Sequence, residues 1–383
     1  MKLLNIAADP LRILFIRMRF NSALLFGLLT VYIGFSLFLF FQWVDPSLNG
    51  SSDQHIAADS GMYIYFADSL RHGNPDPYVI ASLATFPNNL WSPVLQALVL
   101  KTTFAMVVAD YAMLFVAIVL LKKSFSFSTG TFVGLLLLNA TTTISVLSVN
   151  KEIVDLLTVS IFLFALRKGR NGILLIALLI ALFNRFELCM VMILFLLIQS
   201  KLNPLRQRRI LTLVAVVIAI SVVLPAFASR ALTARFEEAS SGTVVTWLDS
   251  LEMNYLYGVA VIPKVAENLF GELINVSKWQ VSYNLSDIAN SYILLFNNLA
   301  TAVVFFLLIR KRAFTLRSDL VYFAMLGCVI MAVSLVIQPR YFYFAYVLLA
   351  LQAAHRGVSK PVGNPSKRRP DEFEPTAREV AFG

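Results

Sequence analysis

Three short turns in an otherwise apolar chain carry charge. Asn150-Lys151-Glu152 lies between the runs GTFVGLLLLNATTTISVL and IVDLLTVSIFLFAL, and Asn184-Arg185-Phe186-Glu187 and Gln338-Pro339-Arg340-Tyr341 are set the same way. Cations at the edge of apolar segments are suited to holding an anion, phosphate above all. A charge-assisted hydrogen bond of that kind contributes about 1.5–3 kcal/mol. A fourth stretch supplies acids: residues 44–90 contain Asp45, Asp53, Asp59, Asp68 and Asp76, with His55 and His72. A carboxylate there could act as a general base. Asp59 and Asp53 are the two choices for that role. Lys151, Glu152, Arg185, Glu187, Arg340, Tyr341 and His55 form the set of substrate contacts.

Each choice has a plainer alternative. Asp59 stands just before Tyr63, Phe66 and Leu70, which recur at helical spacing, and an aspartate in that place commonly caps a helix. Lys151 could pair with Glu152, and Arg185 with Glu187, as simple structural ion pairs.

What positions these residues is a membrane-protein pattern. The 383 residues are 58% hydrophobic and 14% charged, with a mean hydropathy of +0.74, whereas a soluble protein averages about 25% charged. Apolar runs near 20 residues long predict an all-α polytopic membrane protein. The predicted crossings are 22–43, 91–121, 129–149, 153–166, 172–184, 187–199, 210–228, 288–309, 319–337 and 341–354, about ten in all. Residues 1–21 form a cytoplasmic lead-in, 22–354 the transmembrane domain, and 355–383 a disordered cytoplasmic tail.

Of the 32 lysines and arginines, 23 fall in the terminal segments 1–21 and 355–383 and in the short segments that close every second crossing, with blocks such as Lys122-Lys123, Arg167-Lys168, Arg208-Arg209 and Arg310-Lys311-Arg312. That periodicity predicts both termini in the cytoplasm. It also explains the net charge of +10 without nucleic acid, for which no motif is present. Two large outer loops follow, 44–90 and 229–287. The first contains an amphipathic helix in GMYIYFADSLRHG ended by Gly73; the second carries Trp247, Tyr255, Tyr257, Phe270 and Trp279 and lies along the interface. All three charged turns then face outward, together with the acidic loop. A lone charge at the bilayer centre costs about 2.5–3.5 kcal/mol, so the economical arrangement is one shared aqueous cavity. Cys189 and Cys328 fall in apolar segments and read as packing residues.

The segment D-S-G-M-Y-I-Y-F-A-D-S-L-R-H-G resembles the first-loop signature of GT-C glycosyltransferases, polytopic enzymes that use polyprenyl-phosphate-linked sugars. Pro93 in NNLWSPVLQALVL and the late Gln338-Pro339-Arg340-Tyr341 are similar to features of the same family. The Asn150-Lys151-Glu152 turn is similar to bacterial polysaccharide-biosynthesis membrane proteins, including O-antigen-type polymerases. The chain has no soluble C-terminal domain like that of larger members and no D-x-D pair. The resemblance implies Asp59 as base, Arg340, Arg185 and Lys151 as phosphate contacts, and inverting sugar transfer without a metal or other cofactor. It implies a polyprenyl-phosphate-linked sugar or oligosaccharide as donor, a glycan or lipid as acceptor, and a site in the bacterial inner membrane at its non-cytoplasmic face. A repeat-unit polymerase of O-antigen or exopolysaccharide, and a transporter or flippase of lipid-linked glycan, are the alternatives.

Overall fold

The structure is a computed structural model. It describes residues 22–45, 58–73, 75–85, 87–200, 203–231, 247, 250–251, 253–274, 285–333 and 339–355. The lead-in 1–21 and nearly all of the tail predicted over 355–383 lie outside them, as do Trp279 and Gln338. Among the described residues the chain is all-helical. An isolated antiparallel bridge joins Phe127 and His355.

The central helix is α8, Lys151–Lys168. Asn150 caps it, its Oδ1 accepting from Lys151 N at 3.0 Å. Glu152 stands in the first turn, Arg167 and Lys168 in the last, and Gly169 ends it at φ +63°. Those charges complement the helix dipole at both ends, and glycine meets the left-handed backbone there without a Cβ penalty. Buried residues recur around the whole helix, as expected of an element enclosed by others. Thr158 and Ser160 settle their hydroxyls on the carbonyls of Val154 and Leu156, 2.6 and 2.7 Å away.

Around α8 pack α5 (Thr103–Ser124) and α9 (Asn171–Asn184), and the latter continues through Arg185 into α10 (Phe186–Gln199). On the other side stand α14 (Asp319–Met331) and α15 (Tyr343–Ala354), which touch closely at Gly327. A Cβ at Gly327 would fall 1.9 Å from Phe344 Cζ. The segment expected to form the first outer loop contributes α2 (Ala58–Arg71), followed by Gly73 at φ +72°. It lies on α4 (Pro87–Leu100) through Tyr63, Phe66 and Ala67. The segment expected to form the second contributes α12 (Tyr257–Ile274), which packs on α13 (Leu285–Arg310).

Two predicted crossings are broken. The run 91–121 divides at Lys101, where φ is +61°, and Thr102 caps the second part by accepting from Ala105 N. The run 129–149 bends by 79° at Asn139, between Thr129–Leu138 and Ala140–Leu147. Asn139 caps the second piece, and the N–H of Thr141 reaches both Asn139 Oδ1 and Asn297 Oδ1, at 3.0 and 2.9 Å. Thr103–Ser124 is long and apolar enough to cross a membrane alone, and the bent pair makes a second if it is one span. Seven more apolar helices have 10–17 residues. A 14-residue helix rises only about 21 Å, against a hydrocarbon core of about 30 Å, so the length of these elements does not by itself reproduce ten crossings.

The basic blocks meet at one end of the bundle. Lys122 Nζ donates to Phe127 O at 2.6 Å, Ser128 N to Ala354 O at 2.9 Å, and Lys311 Nζ to Ala353 O at 2.5 Å. Arg167 stacks on Phe125, with 4.8 Å to the ring centroid. Arg209 pairs with Asp319 and donates to the carbonyls of Leu316 and Arg317. Lys151 stands at the far end of the helix that closes with Arg167 and Lys168, about 25 Å away along its axis.

Candidate functional site

Asp59 is in the first turn of α2, a place where the helix dipole favours an anion. It makes a contact beyond that turn: its Oδ2 lies 2.5 Å from Arg340 Nη1. Arg340 sits in the 3₁₀ turn Pro339–Phe342 that precedes α15. Both partners remain partly open, with side-chain exposures of 38% for Asp59 and 31% for Arg340. Ser60 pins this end of α2 to the turn before α8, its Oγ donating to Val149 O at 2.7 Å.

Beneath that pair lies a buried charge cluster. Arg185 Nη2 reaches Glu152 Oε1 and Arg185 Nε reaches Asp155 Oδ2, each at 3.2 Å. All three side chains are nearly sealed from solvent, at 4% or less. Asn184 ties the base of the cluster: its Nδ2 donates to Asp155 Oδ1 at 2.7 Å and to Lys151 O at 3.1 Å. Tyr341 joins the two layers, its ring lying 5.3 Å from the Arg185 guanidinium and 5.6 Å from that of Arg340. Cations over an aromatic face gain about 0.5–2 kcal/mol each.

The electrostatics follow from this packing. Burial works against the charge on Arg185, but Asp155 and Glu152 outweigh it and hold the guanidinium above its usual range. For Arg340 the same contest is decided mainly by Asp59, with Glu152 adding to it. At Lys151 the acids Glu152, Asp155 and Asp59 do not prevail. Burial, reinforced by the Arg185 charge, pulls its amine down to about 8. Two acceptors in the cluster lack a hydrogen-bond donor, Glu152 Oε2 and Asn184 Oδ1, both on buried residues. An incoming hydroxyl or water would find them ready to accept.

The structure therefore brings Asp59, Lys151, Glu152, Arg185, Arg340 and Tyr341 to one end of the bundle, opposite the basic blocks. Asp53 and His55 lie outside the described residues. The simple pairs considered from the sequence take a different form: Arg185 bonds Glu152 and Asp155, while Glu187, two residues away on the next helix, acts on it through charge without an ion pair among the described residues. The geometry adds Asp155, Asn184 and Ser60, which sequence reasoning missed. Asn184 directly precedes Arg185, and Asp155 follows Lys151 by four residues, one helical turn. That spacing was the signal available for Asp155. Among the described residues no three His, Cys, Asp or Glu side chains gather to hold a metal ion.

Three cations and three carboxylates in so small a volume can bind an anion by exchange. A phosphate bound at Arg340 would compete with Asp59 for its guanidinium. Comparison of the chain with protein-family models, with curated proteins and with solved structures finds no match.

Proposed function

We propose that this chain is a multi-pass membrane glycosyltransferase of the bacterial inner membrane. It moves a sugar from a polyprenyl-phosphate donor to a glycan or lipid acceptor at the non-cytoplasmic face, in cell-surface glycan assembly. The observation that carries this reading is the half-exposed Asp59–Arg340 pair above the buried Arg185 cluster. It joins the acidic loop and the late Arg-Tyr turn, the two segments on which the GT-C resemblance rests.

In this mechanism the donor phosphate draws Arg340 away from Asp59 and is also met by the Lys151 ammonium. Asp59 then takes the proton of the acceptor hydroxyl as that oxygen attacks the anomeric carbon. The bond from that carbon to the phosphate oxygen breaks with inversion, and its electron pair leaves on the polyprenyl phosphate. The cations stabilise that charge, a contribution commonly among the largest in such reactions. Arg185, tied to two carboxylates, is a positioning residue: it fixes Tyr341 and through it the place of Arg340.

Two features support the membrane reading with ten crossings and both termini inside. The helices expose large apolar side chains outward, including Val31, Phe35, Val99, Phe115, Ile218 and Phe306, and contiguous apolar surface of that kind needs a lipid or protein partner. The basic blocks gather opposite Asp59, as a cytoplasmic end requires. Short spans can be accommodated by local thinning of the bilayer, which would bring the charged turns close to the polyprenyl phosphate.

The test is the surface glycan of cells expressing Asp59→Asn or Arg340→Ala at normal level. The expected result is an undecorated or shortened glycan with each variant. Unchanged glycan with both rejects the proposal. Accumulation of single repeat units would instead identify a polymerase.

A further inference from the structure

A polar concavity lies across α2 from Asp59. It is a cavity of about 320 Å³ lined by Asp45, Ile64, Asp68, Lys101, Thr102, Thr103 and Met106. Asp68 and Ile64 stand one turn apart on α2. Asp68 is nine residues from Asp59, which places it about 13 Å along the axis and half a turn round the helix. The cavity is therefore a separate place from the Arg185 cluster.

Its walls are held by specific contacts. Arg71 Nη1 meets Asp68 Oδ1 at 2.5 Å. The same guanidinium donates to the carbonyls of Ala97 and Leu98 and so fastens α2 to the end of α4. Thr103 Oγ1 donates to Asp45 Oδ1. Lys101 lies at the break between α4 and α5 with φ +61°, a conformation that costs a non-glycine residue about 1–2 kcal/mol. Lys101 is the left-handed residue that closes α4, its N–H donating to Ala97 O at 3.2 Å, and it stands exposed in the lining of the cavity.

The lining discriminates between kinds of ligand. Asp45 and Asp68 are balanced by Lys101 and by the Arg71 paired with Asp68, so neither a free anion nor a free cation is favoured by net charge. Asp45 and Asp68 keep lone pairs beyond those engaged by Thr103 and Arg71; these acceptors, the Lys101 ammonium and Thr102 hydroxyl as donors, and the apolar sides of Ile64 and Met106 together match a neutral pyranose. Its hydroxyls both donate and accept, and its C–H face is apolar. The volume is at the low end of the range for small-molecule sites, about 300–1,000 Å³, enough for one sugar unit. We propose that this cavity is a carbohydrate subsite that holds one neutral sugar residue of the acceptor, away from the reacting centre. Its role as an acceptor anchor rests on the glycosyltransferase reading; sugar binding in the cavity does not.

The experiment measures binding without transfer. The full-length protein in nanodiscs is titrated with methyl glycosides of glucose, galactose, mannose and N-acetylglucosamine, with binding read by saturation-transfer NMR. Phosphoethanolamine serves as a zwitterionic comparison. At least one glycoside is expected to bind the wild type, and about tenfold or more weaker to Lys101→Gly and to Asp68→Asn. Lys101→Gly also removes the backbone strain, so its thermal stability should be unchanged or higher while binding falls. That separates a lost contact from a damaged fold. Arg340→Ala should bind the glycoside as wild type does. The proposal is overturned if no glycoside binds, if Lys101→Gly and Asp68→Asn bind as wild type, if Arg340→Ala loses binding equally, or if only phosphoethanolamine binds. A protein that binds sugar here but leaves cellular glycan unchanged on Asp59→Asn would keep the subsite and reject the transferase.

Discussion

Arg340 Nη1 rests 2.5 Å from Asp59 Oδ2, so the late Arg-Tyr turn closes onto the first outer helix. With side-chain exposures of 31% and 38%, the pair is too open to contribute much stability; exposed ion pairs contribute about 0–1 kcal/mol. Its energetic weight and its chemical weight should therefore separate. Asp59→Asn is expected to shift the melting of the detergent-purified protein by no more than a degree or two. Sugar transfer should fall by about 10²–10⁴-fold, the range for loss of a general base. The reversed pair, Asp59→Arg with Arg340→Asp, should restore melting but not transfer. If it restored both, the contact would be a structural clasp.

The buried cluster should behave in the opposite way. Arg185 is 4% exposed between Glu152 and Asp155. Arg185→Ala strands two buried acids, and breaking a buried pair from one side costs about 3–5 kcal/mol. That variant is expected to accumulate poorly and to melt well below wild type. Arg185→Met combined with Glu152→Gln and Asp155→Asn removes the charges together and should recover most of the loss in the same melting assay. Transfer should stay low in the triple variant, because Tyr341 then has no cation beneath it.

The contrast between these two layers bears on what could be read from the chain alone. The meeting of residues 59, 151, 185 and 340 was readable because apolar runs decide which turns share an end, and basic blocks mark the other. Asp155 was not. In one dimension it is an acid inside a helix, and its role comes from Arg185, which arrives from a different hairpin. The choice of Arg185 for Glu152 over Glu187 has a local cause as well. Arg185 is the extended residue before α10, with φ −157°, and Glu187 lies within that helix's first turn, from which it adds to the field on Arg185 less than Asp155 and Glu152 do. The bend at Asn139 carries no glycine or proline. Only the asparagine, an N-cap type followed by threonines, signalled it. A break in 91–121 was legible, because that run is too long for one straight span and contains Lys101; the positive φ of Lys101 was not, since lysine is not a residue expected there.

Lys151 gives the site a pH dependence with a distinctive sign. Its folded value near 8 lies below the ordinary lysine value of 10.5, first through burial and then through Arg185. The ammonium that would hold phosphate is therefore lost as pH rises through 8. Binding of the polyprenyl phosphate should weaken between pH 7 and 9. The folding linkage runs the other way: between 8 and 10.5 the unfolded chain binds more protons, so the penalty of burying this charge is present below 8 and relieved as pH rises. Lys151→Arg should keep phosphate binding flat across that range. Titrations of wild type and variant at pH 7, 8 and 9 check the point, and parallel curves would remove Lys151 from the phosphate site.

Asp110 and Gln96 supply a prediction away from the charged turns. Gln96 Nε2 donates to Asp110 Oδ1 at 2.9 Å within the packing of α4 on α5. The remaining acceptors on the same two side chains, Asp110 Oδ2 and Gln96 Oε1, have no hydrogen-bond partner among the described residues, and Asp110 is fully buried. Two orphan acceptors side by side lack one donor. Asp110→Asn provides an N–H at that place with almost no change of shape. It should raise the melting temperature, by an amount equivalent to about 1 kcal/mol. Gln96→Leu removes the one bond present and leaves both Asp110 oxygens unsatisfied, at a cost of about 1–3 kcal/mol. Melting of the two variants in the same detergent tests the argument. Asp110→Asn falling below wild type would mean that the acid meets a donor there, such as a buried water.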